Sequence, residues 1–64
     1  MFNEFEEVRI KESGILGVIV DKTRKEDGRA MYIVEADKRD ANGVFPLYDV
    51  FDEDIEYKNA PVVV

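Results

Sequence analysis

The residues best suited to chemistry lie late in the chain. Asp49, Asp52, Glu53, Asp54 and Glu56 set carboxylates at close spacing. Carboxylate oxygens are hard donors, and several together can hold a divalent cation. The spacing differs from that of a calcium-binding EF-hand loop, and no glycine stands where such a loop turns. The run therefore reads as a solvated acidic turn. It also offers a surface to a basic partner through charge complementarity.

Other reactive groups are scarce. The chain has 0 His, 0 Cys and 0 Trp. That excludes an imidazole base, a thiolate nucleophile, a thiolate zinc site and a disulfide. Paired carboxylates could still move protons, but the sequence implies no pocket for a substrate. The expectation is a chain that is not an enzyme and carries no cofactor and no metal. Gly14 and Gly17 look like half of a phosphate loop. No Lys-Ser or Lys-Thr follows them, so turn and bulge roles fit better.

Two basic groups remain: Lys22, Arg24, Lys25 and Arg29, then Lys38 and Arg39. Acids are interleaved with both, and solubility explains them more simply than phosphate contacts. Among the aromatics, Tyr32, Phe45, Tyr48, Phe51 and Tyr57 should mostly fill a core. If Tyr32, Pro46 and Tyr48 meet at the surface instead, they form a binding patch. The candidate protein-binding set is thus Tyr32, Pro46, Tyr48, Asp49, Asp52 and Asp54.

These residues need elements to position them. With 64 residues and 7.4 kDa there is room for one domain, spanning 1–64. Turn signals recur at Glu12-Ser13-Gly14, Glu26-Asp27-Gly28, Ala41-Asn42-Gly43 and Asn59-Ala60-Pro61, with short apolar runs between them. That rhythm predicts an all-β domain. Strands are expected at Glu6 to Lys11, Ile15 to Asp21, Ala30 to Glu35 or one residue beyond, Val44 to Tyr48, and Ile55 to Lys58. The second is apolar on both faces, which suits a central, curved strand shared by two halves of a small barrel. Gly17 in it permits a bulge or a close approach. Pro46 calls for an edge position or a bulge. Asp49 to Asp54 is expected to be a short 3₁₀ turn with Val50 or Phe51 inward. Phe2 and Phe5 precede the first strand as an irregular lead-in. The fold class that results is a five-stranded SH3-like small barrel with a 3₁₀ turn before the last strand. A five-stranded OB barrel is the alternative, but Asp37 to Gly43 is too short for its helix.

Three stretches carry a family likeness: Val8-Arg9-Ile10-Lys11, the run Gly14-Ile15-Leu16-Gly17-Val18-Ile19-Val20-Asp21, and Tyr32-Ile33-Val34-Glu35. Together they resemble small bacterial SH3-like barrels. The opening is similar to KOW domains, and the three stretches are more similar still to the uncharacterised DUF4926-type domains, a likeness over roughly half to two thirds of the chain. The KOW likeness implies RNA or polymerase contacts. Those modules are often basic, whereas this chain has a net charge of -6.

The expected function is a non-enzymatic SH3-like module acting through protein–protein interaction, with a basic protein as partner. The alternative is KOW-like nucleic-acid or ribonucleoprotein binding through Arg24, Lys25, Arg29 and Lys38. Acidic chain ends and a balanced middle make nucleic acid the less favoured partner. The longest apolar run, Ile15 to Val20, is far short of the ~20 residues that cross a bilayer. Residues 1–7 lack the basic start of a secretory signal. No membrane association and a cytoplasmic location are therefore expected. The apolar segment Pro61 to Val64 can add to a sheet edge and support a homodimer.

Overall fold

The computed structural model describes residues 2–59. Five strands form one antiparallel sheet: β1 (Glu7–Ile10), β2 (Leu16–Arg24), β3 (Ala30–Ala36), β4 (Leu47–Phe51) and β5 (Ile55–Tyr57). A 3₁₀ turn, Asp52–Asp54, joins β4 to β5. The strand order is β4-β3-β2-β1-β5, so β4 and β5 are the two edges and do not pair with each other. The all-β expectation and the 3₁₀ turn before the last strand match this arrangement. Among the described residues no helix is long and apolar enough to cross a membrane. The segment Pro61 to Val64, invoked above for dimerisation, lies outside the described residues.

Alternation builds the core. Val8 and Ile10 of β1, Ile19 of β2, Tyr32 and Val34 of β3, Val50 of β4 and Ile55 of β5 are buried in one cluster with Phe2. Burying an aliphatic or aromatic side chain of this size is worth about 1.5–3 kcal/mol. Residues from both outer strands meet in this cluster, so the sheet must curl over a single core. The bend lies in β2. Ile19 faces Val34 and Asp21 faces Ile33, so two steps on β2 match one on β3 and Val20 is the extra residue. A bulge of this kind kinks the strand and increases its twist.

β2 runs further than the sequence suggests. Lys22, Thr23 and Arg24 pair with Tyr32, Met31 and Ala30, so polar residues read as loop belong to the strand. Cross-strand hydrogen bonding overrides their composition. The hairpin loop shrinks to residues 25–29, where Lys25 N–H donates to Arg29 C=O at 2.9 Å and Gly28 takes φ +87°.

The fourth strand is displaced from its expected place. It covers Leu47–Phe51, not Val44 to Tyr48, and Pro46 sits just ahead of it. Asp49 to Phe51, expected in the 3₁₀ turn, is strand. An acid is tolerated in the middle because Asp49 points to solvent while Val50 points inward. Pro46 cannot donate, but its carbonyl accepts from Ala36 N–H at 2.9 Å, so the pairing begins there.

Gly17 and Val20 divide two duties that the sequence assigns to Gly17. The bulge is at Val20, and Gly17 is a place of close approach. A Cβ there would lie 2.5 Å from Glu35 O and 2.7 Å from Val34 Cγ1. The lead-in is also tightly held. Ile19 C=O accepts from Phe5 N–H at 2.7 Å, and Ile19 N–H donates to Glu6 C=O at 3.1 Å. This double grip sustains Phe5 at φ 67°, a region that bulky side chains avoid.

Gly17→Ala should therefore cost about 2–3 kcal/mol, since neither the β3 backbone nor buried Val34 can yield. Urea unfolding of the two proteins measures it. A loss of under about 0.5 kcal/mol would show that β3 moves freely away from β2.

Candidate functional site

The acidic run divides into bonded and unbonded members. Tyr32 Oη donates to Asp52 Oδ1 at 2.9 Å, and Asp54 Oδ2 accepts from Phe51 N–H at 2.8 Å. Glu53 pairs with Arg29, and Glu56 lies 3.8 Å from Arg9 Nε. Asp52 and Asp54 thus anchor the 3₁₀ turn. The backbone there contributes as well, because Lys11 N–H donates to Asp54 C=O at 2.9 Å. Asp49 stands apart on the outer face of β4, where its register partner is Ile33. Among the described residues no group of three or more acids converges as a metal site would require.

Tyr32 is not a surface residue. It is 0% exposed and lies at the centre of the core, which corrects its place in the candidate binding patch. Strand register decides this: Tyr32 faces Val50 across the β3–β4 ladder and shares the inward side with Val34. Its ring meets Phe2 edge-on at 5.8 Å, and its hydroxyl accepts from Phe2 N–H at 3.2 Å. Burial raises the phenol pKa above its ordinary value. The Phe2 N–H works against that rise, and Asp52 adds to it.

The basic residues are split between opposite ends of β3. Arg24, Lys25 and Arg29 flank the β2–β3 loop, whereas Lys38 follows Ala36 at the far end. Arg24 Nη1 donates to Gly28 C=O at 2.7 Å. Arg29 stacks 3.8 Å from the centroid of the Phe51 ring, and Lys25 lies 5.5 Å from the same centroid. These cations dress one aromatic ring and one turn.

Pro46 and Tyr48 do come together. They line a groove of about 330 Å³ between the β1–β2 turn and the β3–β4 connection. Ile15 and Leu16 form its opposite wall, and Lys38 and Arg39 stand at its polar end. Tyr48 packs on the core from this side, as does Ile15. In the segment that leads into β4, Val44 is 58% and Leu47 61% exposed, with Phe45 at 39% under the Arg39 guanidinium. The apolar wall at Ile15 and Leu16 and the exposed Val44 and Leu47 were not singled out from sequence. Parity sets Leu47 opposite Tyr48, and the packing of Tyr48 on the core decides that Leu47 is the exposed one.

Comparison with protein-family models, curated proteins and solved structures finds no match to this chain.

Tyr32→Phe should cost about 1 kcal/mol at neutral pH, because it leaves the buried Phe2 N–H without an acceptor. The pH dependence has a definite sign. The folded chain holds the Tyr32 proton to higher pH than the unfolded chain does. That contribution to stability is whole below the ordinary tyrosine value of 10.0 and is lost as pH rises through the raised folded value. Stability of the parent chain should fall more steeply above about pH 10 than that of Tyr32→Phe. Parallel slopes in denaturant melts would contradict this placement of the hydroxyl.

Proposed function

We propose that the chain is a non-enzymatic SH3-like barrel module that binds a protein through the groove at Pro46 and Tyr48. Several features support the barrel reading. The strand order, the 3₁₀ turn between β4 and β5, the bulged β2 serving both arms of the sheet, and the single core all suit it. One observation carries the functional reading. Pro46 and Tyr48 line a groove with Ile15 and Leu16, and Val44 and Leu47 of the same segment stay exposed, in a chain too small to leave apolar residues outside its core without cost.

The acidic segment contributes less than its composition suggests. Asp52 and Asp54 hold the 3₁₀ turn, which leaves Asp49, on the outer face of β4, as the acid of the candidate set with no bond to the turn. Its charge favours a basic residue in the partner. Nucleic-acid binding has weaker support. Arg29 is paired with Glu53, Arg24 is bonded within its own loop, and Lys38 is at the other end of β3.

Capture from host lysate, with and without nuclease, tests the reading. A protein partner should survive nuclease and be retained at least about tenfold less by Val44→Asp and by Leu47→Asp, a difference of ~1.4 kcal/mol. Partners that vanish with nuclease, or that both variants retain in full, would overturn it.

A further inference from the structure

β4 has a free side. Ala36 N–H donates to Pro46 C=O, and this bond with the β3–β4 register sets the hydrogen-bonding phase of the ladder. In an antiparallel ladder, directly opposed residues alternate between exchanging hydrogen bonds and pointing them away. Tyr48 and Val50 therefore direct their backbone groups to β3. Leu47 and Asp49 direct theirs outward, about 7 Å apart. Phe51 N–H, next in phase, is already held by Asp54 Oδ2. Among the described residues nothing bonds the outward groups of Leu47 and Asp49. Sheet edges are commonly protected by Lys, by Pro within the strand or by a bulge, and β4 has none of these.

The outer face beside this edge is acidic and apolar. Register aligns Asp21, Ile33 and Asp49 in one row and Val18, Glu35 and Leu47 in the next. Neither row contains a base. A second copy of the chain fits this edge poorly. Pairing centred on Asp49 opposes it to itself, and pairing centred on Tyr48 leaves the two copies' Asp49 side chains a diagonal apart on one face. Each copy also carries a net charge of -6.

We propose that β4 takes an extended peptide as an added strand, with a basic side chain opposite Asp49 and an apolar one two residues away opposite Leu47. Main-chain hydrogen bonds to Leu47 and Asp49 hold the peptide, and alternate side chains select it. The site rests on the protein-binding reading above and names its partner as a segment of the form apolar-x-basic. Beyond Leu47 the peptide runs on toward Val44 and the groove.

The test uses the full chain labelled with ¹⁵N and a capped peptide, Thr-Val-Thr-Lys-Thr-Val-Thr-Lys-Thr. A control peptide carries Glu in place of Lys. In the free chain the Leu47 and Asp49 amides should exchange rapidly. The lysine peptide should slow both, and Asp49→Lys should weaken it about fivefold and make the glutamate peptide the better ligand. Three results would overturn the proposal: no protection of these amides at millimolar peptide, equal binding of the two peptides, or amides already slow in the free chain. A lysate partner that Val44→Asp releases but that leaves both amides unprotected would overturn strand addition alone, leaving the groove reading intact.

Discussion

The structure depends on β2 serving two neighbours in two registers. Before Val20 its inward residues are Gly17 and Ile19. After the bulge the phase changes, and Lys22 and Arg24 lie across from Tyr32 and Ala30. Without the extra residue, β2 would run on in its first phase, and Asp21 and Thr23 would lie across from Tyr32 and Ala30 on the inward side. Gly17 completes the device, because the strand can bend toward β3 only where no side chain intervenes. One bulge and one glycine thus let a nine-residue strand join both arms of the sheet around a single apolar cluster.

The same curvature explains why the acidic run is where it is. Once Tyr32 is buried, its hydroxyl needs partners, and a chain of this size has little interior in which to supply them. Asp52 provides one from the surface side of the 3₁₀ turn and Phe2 N–H provides the other from the lead-in. Asp54 holds the turn from within by accepting from Phe51 N–H. Two carboxylates that look like a ligand site in sequence are therefore hinges between core and turn. Asp49, one strand position from Val50, is free of these duties because alternation turns it outward.

Much of this was legible in the residues. Period-two alternation marked β1, β-branched residues marked β2, and Asp27-Gly28 marked the first hairpin. The failures share a physical cause. Lys22 to Arg24 are strand because β3 supplies partners, and Asp49 to Phe51 are strand because β3 continues beside them; neither fact is local. Reading Val44 as the start of β4 set the strand three residues early, and parity alone left open which of Leu47 and Tyr48 faces the core. Tyr32 was ambiguous for a related reason: an alternating strand shows that one face is buried but not which partner covers it. Pro46 and Tyr48 stayed together through the error because the groove lies at the junction of loop and strand.

On the binding role proposed above, the apolar segment 44–47 is the point where folding and recognition diverge. Moving Val44 and Leu47 into the interior would add core to a domain that has little of it. The strand register forbids this for Leu47, since turning it inward would expel Tyr48 and Val50 to the outside. Sheet geometry therefore leaves an apolar side chain beside open backbone donors and acceptors. An acid in the next outward position keeps that edge from pairing with its own copy. The combination is selective in a simple way: it disfavours the self-complementary contact and leaves a vacancy that suits a strand of opposite charge.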